Sequence, residues 1–165
     1  MALDLTSIRA LYLVDIDNCI ADDSRRIKSI KWKTDCMDER YDSYHKLAKF
    51  DKMHNKHLLE GRNVFFLTAR PARYLLPTIE WINKQGIKFE YSVMMRPEGN
   101  LMHSVDLKQM QLTRIITGFR VTASKIKHAY DDRQDVIDMY LSNGIPATRT
   151  WIHDVCAYTK PIGVK

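Results

Sequence analysis

Five short apolar runs alternate along this chain with stretches of helical period. The first, Leu11-Tyr-Leu-Val-Asp15, is rich in strand formers and ends in acids. It reads as a buried strand. Asn63-Val-Phe-Phe-Leu67, Tyr91 to Met95, Ile126 to Tyr130 and Ala147 to Trp151 are the other four. Between the second and third, Leu75, Leu76, Ile79 and Ile82 recur on one helical face up to Gly86, with Pro71 at a helix-start position. Ser104 caps a predicted helix running to about Thr117, and Val136 to Ser142 forms another, stopped by Asn143-Gly144. From about Met37 to Leu59 the composition favours helix. Tyr41, Tyr44, Leu47, Ala48 and Leu58 fall roughly on one face, and Gly61 is the stop. Residues 22–36 are polar and basic without a period and read as a loop, as does Arg96-Pro-Glu-Gly-Asn100.

Strands alternating with helices predict an α/β fold. Its core is a Rossmann-like parallel sheet of about five strands with helices on both faces. Ligands of such sheets bind beyond the carboxyl ends of the strands. That rule singles out Asp15 and Asp17, Thr68 and Arg70, Arg96, and Asp131 and Asp132, because each follows a predicted strand. Four carboxylates near two strand ends repel one another unless a cation sits among them. An all-oxygen set suits Mg²⁺, which keeps waters and accepts phosphate oxygens. Lys108 and Arg70 are candidate phosphate-binding charges, and the Thr68 hydroxyl is a candidate donor. The set points to phosphoryl transfer by positioning and charge neutralisation.

The 165 residues suit one domain, and 45% apolar with 28% charged residues predicts a packed core and not a disordered chain. No apolar run reaches the ~18 residues of a membrane helix. Met1 to Ala10 lacks a signal-peptide layout, so a soluble cytoplasmic protein with no membrane partner is expected. Cys19, Cys36 and Cys156 show no CxxC spacing, which argues against a disulfide framework or a zinc site. The net charge of +6 fits an anionic partner, and equally fits plain solubility. Trp32 with Arg25, Arg26, Lys28, Lys31 and Lys33 reads either as a nucleic-acid contact or as a basic loop. His45, His54 and His57 read as a solvated helix face. Cys19 reads as a packing residue, since no histidine base lies nearby in sequence.

Asp15-Ile-Asp17-Asn-Cys19, Thr68 after a strand, Lys108 on a helix, and Asp131-Asp132 after a strand resemble, in order, the four motifs of the haloacid dehalogenase superfamily of phosphohydrolases. The likeness runs from about Leu11 to Trp151. Thr68-Ala-Arg70-Pro, Trp81, Arg96-Pro-Glu-Gly99 and Tyr130-Asp-Asp-Arg133-Gln-Asp-Val136 further resemble the 3′-phosphatase domain of bacteriophage-type polynucleotide kinase/phosphatases. No GxxxxGK[ST] segment of a kinase half is present. The resemblance implies that Asp15 is the nucleophile and Asp17 the general acid and base. It implies that Thr68, Ala69 and Lys108 bind the phosphoryl group. It gives Mg²⁺ to the Asp15 and Asp132 carboxylates and the Asp17 carbonyl, with Asp131 assisting. Arg70, Arg96 and Arg133 are candidate substrate contacts. Two positions depart from the motif: Asn18 stands for the usual Gly and Cys19 for the usual Thr. Asn tolerates the left-handed backbone that Gly supplies.

The interval from Cys19 to Arg62 leaves room for no more than a small helical cap insertion. A nearly capless, open site favours a phosphorylated nucleic-acid end as substrate. The alternatives are a nucleotidase on mononucleotides, with the Tyr41/Tyr44 helix folding over the site, and a nucleic-acid-binding module whose acids only hold metal.

Overall fold

The computed structural model describes residues 8–31, 37–87, 89–119 and 121–154. The readings on Trp32, Lys33, Cys36 and Cys156 lie outside these residues. Five strands, β1 (Leu11–Val14), β2 (Asn63–Pro71), β3 (Tyr91–Arg96), β4 (Ile126–Asp131) and β5 (Ala147–Arg149), form one sheet in the order β3-β2-β1-β4-β5. Every strand pairing is parallel. The helices are α1 (Met37–Leu47), α2 (Leu75–Lys84), α3 (Ser104–Gly118) and α4 (Gln134–Ser142). This is the α/β architecture that the alternating pattern predicts.

Side chains of a strand point to alternate faces, so each central strand feeds two cores. Leu11, Leu13, Phe65 and Leu67 join Leu112, Ile115, Val136 and Tyr140 of α3 and α4 on one face. Val14, Val64 and Phe66 join Trp81 and Ile82 of α2, with Ile16, Ile20, Leu58 and Leu59, on the other. A central strand buried on both faces must be apolar throughout, which is why β1 and β2 read as continuous apolar runs. Gly86 and Gly144 end α2 and α4 at φ of 77° and 72°, a backbone that side chains disfavour.

Three boundaries differ from expectation. The helix predicted over 37–59 stops at Leu47 and gives way to 3₁₀ turns at Ala48–Phe50 and Lys56–Leu58. Between them the chain binds the loop after β1: Asp22 N–H donates to Lys52 O at 2.9 Å and His54 N–H to Ile20 O at 2.7 Å. These tertiary bonds use backbone groups that a continuous helix would consume, and they override local composition. Pro71 closes β2 instead of starting a helix, and a 3₁₀ turn at Ala72–Tyr74 precedes α2. β5 ends at Arg149, two residues short of Trp151.

Among the described residues no helix is long and apolar enough to cross a membrane. Leu13 is 1% exposed in the middle of the sheet. Leu13→Ala should lower unfolding stability by about 2–5 kcal/mol, read as a lower urea midpoint at unchanged slope.

Candidate active site

The strand order reverses direction at β1. β2 and β3 lie to one side of it, β4 and β5 to the other. A crevice opens there beyond the ends of β1 and β4. Asp15 follows β1 and Asp131 ends β4, tied together by Asp15 N–H donating to Tyr130 O at 2.9 Å. Carboxylate oxygens of Asp15, Asp131 and Asp132 lie within 4.8 Å of one another.

Lys108, from the first turns of α3, reaches this cluster. Its Nζ donates to Asp15 Oδ1 at 2.5 Å and to Leu67 O, and stands 3.1 Å from Asp131 Oδ2. The last contact is a charge contact only: Asp131 Oδ2 is buried and has no hydrogen-bond partner. Burial would push the Lys108 pKa down, but Asp131 and Asp15 outweigh it and hold the ammonium charged. One ammonium against three carboxylates leaves two negative charges uncompensated. Burial accordingly raises the Asp15 pKa well above the usual carboxylate range, with Asp131, Asp132 and Asp17 adding to it and Lys108 opposing. Asp132 is pushed up to about 6 by burial and by Asp131. Three oxygen donors, an orphaned buried oxygen and a deficit of two positive charges fit a divalent cation with hard oxygen ligands.

Asp17 sits in a different environment. Arg70 donates from Nε to both carboxylate oxygens at 3.1 Å and from Nη2 to Oδ1 at 2.6 Å. Arg26 donates to the same Oδ1 through Nη2, and from Nε to Asp51 Oδ2 at 2.8 Å. Burial alone would raise the Asp17 pKa, but the two guanidiniums carry it well below the usual carboxylate range. Two neighbouring acids are thus set apart: Asp15 is destabilised as an anion and Asp17 stabilised as one.

Asn18 takes φ of 59°, the left-handed turn expected where the motif carries Gly. Its amide also ties the loops together, donating to Asp132 Oδ2 at 3.1 Å and to His153 O at 3.2 Å. Cys19 is fully buried, and burial followed by the nearby aspartates pushes its thiol pKa up, so it packs and is no thiolate.

A cavity of about 400 Å³ opens over the acids, walled by Asp15, Asp17, Lys108, Asp131, Asp132 and Ala69. Arg96 and Arg133 also face it. Arg96 is largely committed to Ala69 O and Met102 O at 3.1 and 2.7 Å, while Arg133 is half-exposed and paired with Asp135 at 2.6 Å. Arg70 is 1% exposed and turned to Asp17 and Thr78, so it acts on the cavity through Asp17. Thr68 is fully buried behind the wall, and its Oγ1 accepts the Arg70 N–H at 3.2 Å.

Another wall comes from the 19–62 insertion, Tyr41, Tyr44 and His45 of α1 with Asp23, Ile27 and Ile30, and Pro71, Arg73, Asn100, Leu101 and Ser104 complete the lining. The site is therefore less open than the short insertion suggests. His45 is not on a solvated face. Its ring packs within 5.2–6.2 Å of Tyr41, Tyr44 and Tyr74, and its buried Nδ1 has no hydrogen-bond partner. Burial lowers its pKa to about 3, with Arg70 and Arg26 adding and Asp17 opposing. Tyr44 donates to Asp23 Oδ2 at 2.5 Å, and His153 Nε2 donates to Asp23 Oδ1 at 2.5 Å. Asp51, Asp23 and His153 escape the sequence reading, which gives Arg26 only a basic stretch and His45 only a helix face. Arg26 looks like its exposed neighbours in a basic stretch. Only an acid needing two partners, known once the chain is folded, sets it apart.

Neither a protein-family profile nor a curated protein matches this chain. Solved structures do. A chain of the Pnkp1/Rnl/Hen1 complex superposes with a TM-score of 0.62 at 19% identity, covering 90% of this chain and 48% of that one. A chain of the Pnkp1/Rnl/Hen1 RNA repair complex gives 0.61 at 17% identity, covering 88% and 43%. This chain thus spans less than half the length of both. A Clostridium difficile protein provisionally assigned as a phosphatase gives 0.57 at 13% identity, covering 93% and 92%. With the five-stranded parallel sheet, these likenesses show the α/β fold that the alternating pattern predicts. The same fold is shared with a chain of an RNA repair complex.

Removing Lys108 leaves Asp15 and Asp131 buried without their cation. Lys108→Met should destabilise the metal-free protein by about 3–5 kcal/mol, measured by urea unfolding. His45 makes an acid-side prediction. Its unfolded pKa is near the ordinary 6.5 and its folded pKa is lower, so its neutral form favours folding above about pH 6.5. That contribution is lost as pH falls towards 3, at no more than about 1.4 kcal/mol per pH unit. In paired urea titrations, wild type should lose stability relative to His45→Phe between about pH 6.5 and 4, and the two should run parallel above that window.

Proposed function

We propose that this chain is a Mg²⁺-dependent phosphomonoesterase that removes 3′-phosphates from nucleic-acid ends through an aspartyl-phosphate on Asp15. The observation that carries the reading is the convergence of Asp15, Asp131 and Asp132 within 4.8 Å around Lys108, at the floor of a cavity. The likeness to a chain of an RNA repair complex and the +6 charge support the nucleic-acid substrate.

Mg²⁺ held by the Asp15 and Asp132 carboxylates and the Asp17 carbonyl, with Asp131 orienting, would neutralise charge on the phosphoryl oxygens. Asp15 attacks phosphorus, and the bond from phosphorus to the 3′-oxygen breaks as the bond to the carboxylate forms. Lys108 and Ala69, which line the cavity, hold the transferring group, with Thr68 fixing the segment from behind. Asp17 gives its proton to the departing 3′-oxygen, then takes one from the water that attacks phosphorus and frees Asp15 with inorganic phosphate. In the folded state Asp17 is held ionised by Arg26 and Arg70, the form that accepts a proton. Its turn as acid follows arrival of the phosphate dianion, whose negative charge beside Asp17 raises its pKa and competes for the guanidiniums. Arg96 and Arg133 flank the path of the substrate backbone.

A specific observation favours a second reading, a mononucleotidase. Tyr41, Tyr44 and His45 put aromatic rings on the wall of a cavity of about 400 Å³, a size suited to a small ligand.

Release of inorganic phosphate from a 3′-phosphorylated oligonucleotide, compared with 3′- and 5′-mononucleotides, separates the two readings. Turnover should prefer the oligonucleotide and require Mg²⁺. Asp15→Asn should cut kcat on every substrate by at least ~10³-fold while leaving the circular dichroism unchanged. Full turnover in that variant would remove Asp15 as nucleophile. Asp132→Asn relieves like-charge repulsion, so its metal-free thermal midpoint should exceed that of wild type, and added Mg²⁺ should shift it less.

A further inference from the structure

Trp151 is 51% exposed, yet the chain on both sides of it is pinned to the acid-bearing loops. On one side, Thr150 N–H donates to Asp131 O at 2.8 Å and Arg149 Nε to Asp132 O at 2.8 Å. On the other, Ile152 N–H donates to Asn18 O at 2.9 Å, and His153 N–H to Asn18 Oδ1 at 3.1 Å. The Arg149 guanidinium lies over the indole, 4.7 Å from the ring centroid. Single exposed apolar side chains are ordinary on protein surfaces. An exposed indole on a backbone segment pinned to the acid-bearing loops, with a cation over the ring, is the arrangement that stacks a base and attracts its phosphates.

From this placement we infer that Trp151 and Arg149 form a stacking platform for the base next inward from the terminal nucleotide of a single-stranded substrate. The inference rests on the nucleic-acid reading above and adds the surface that distinguishes a polymer from a mononucleotide. A strand whose terminal phosphate sits over Asp15 leaves the cavity across its rim. Asp132 and Arg133 form the rim on the β4 side, and Arg149, bonded to Asp132 O, continues it to Trp151. Arg133 and Arg149 supply positive charge along that path. A mononucleotide has no second base and does not reach the indole. Indole stacking tolerates any base and either sugar, so RNA and DNA strands are both occupants.

The test compares wild type, Trp151→Ala and Trp151→Phe on short 3′-phosphorylated oligoribonucleotides and oligodeoxyribonucleotides and on the matching 3′-mononucleotides. Trp151→Ala should raise KM for the oligonucleotides by roughly 10-fold, Trp151→Phe by less, and the mononucleotide KM should move by less than about twofold. An effect confined to one sugar type identifies the strand used and supports the platform. Equal losses on oligonucleotide and mononucleotide overturn it, because they would reflect damage relayed through Asn18. Unchanged oligonucleotide KM also overturns it, while the 3′-phosphatase reading stands. Binding gives a readout independent of turnover. An unphosphorylated oligonucleotide should quench the fluorescence that wild type has in excess of Trp151→Phe. Quenching without phosphate release would remove the phosphatase reading and keep the platform; no quenching of that signal removes the platform.

Discussion

The contact on which the site depends is the buried ammonium of Lys108. Parallel strands that end side by side bring their following residues together, and here those residues are acids. Asp15 and Asp131 could not share the switch point of the sheet without a positive charge between them. Lys108 supplies it from α3 and also donates to Leu67 O of β2, so one side chain joins three strands to a helix. It compensates only part of the charge. What remains is a pocket that is electrostatically incomplete, and that deficit fits a divalent cation with oxygen ligands.

The two acids of the first loop are separated by their partners. Asp15 faces acids and a single ammonium, and its ionised form is costly. Asp17 is gripped by Arg26 and Arg70, which are themselves buried and tied to Asp51 and Thr78. Each arginine joins the β1 loop to a distant part of the chain, Arg26 to the insertion and Arg70 to the end of β2. The insertion is therefore wired into the acid chemistry. Its helix α1 adds the aromatic wall, and its Asp23 meets Tyr44 and His153.

Much of this was legible in the sequence. Apolar runs gave the strands, because a two-faced parallel sheet demands them, and the residues directly after those runs gave Asp15, Asp131 and Asp132. Asn18 was read correctly as a left-handed turn from its tolerance of positive φ. Other features were not legible. The 37–59 segment has helical composition, but backbone bonds to residues 20–22 break it. Arg26 is indistinguishable from Arg25 until Asp17 and Asp51 are placed around it. Arg70 and Thr68, taken from position after a strand, face the interior, because β2 continues to Pro71 and directs them there. His45, expected in solvent, is enclosed by tyrosines from two helical segments remote in sequence.

The convergence of the β1 and β4 loops on one cation beside the attacking oxygen is tested most directly by a crystal structure with Mg²⁺ and beryllium trifluoride, a mimic of an acyl phosphate. The account predicts the trifluoride bonded to an Asp15 carboxylate oxygen, with Mg²⁺ between that group and Asp132 and with Lys108 turned to a fluorine. An adduct on Asp17, or Mg²⁺ bound without contact to Asp15 and Asp132, would contradict it.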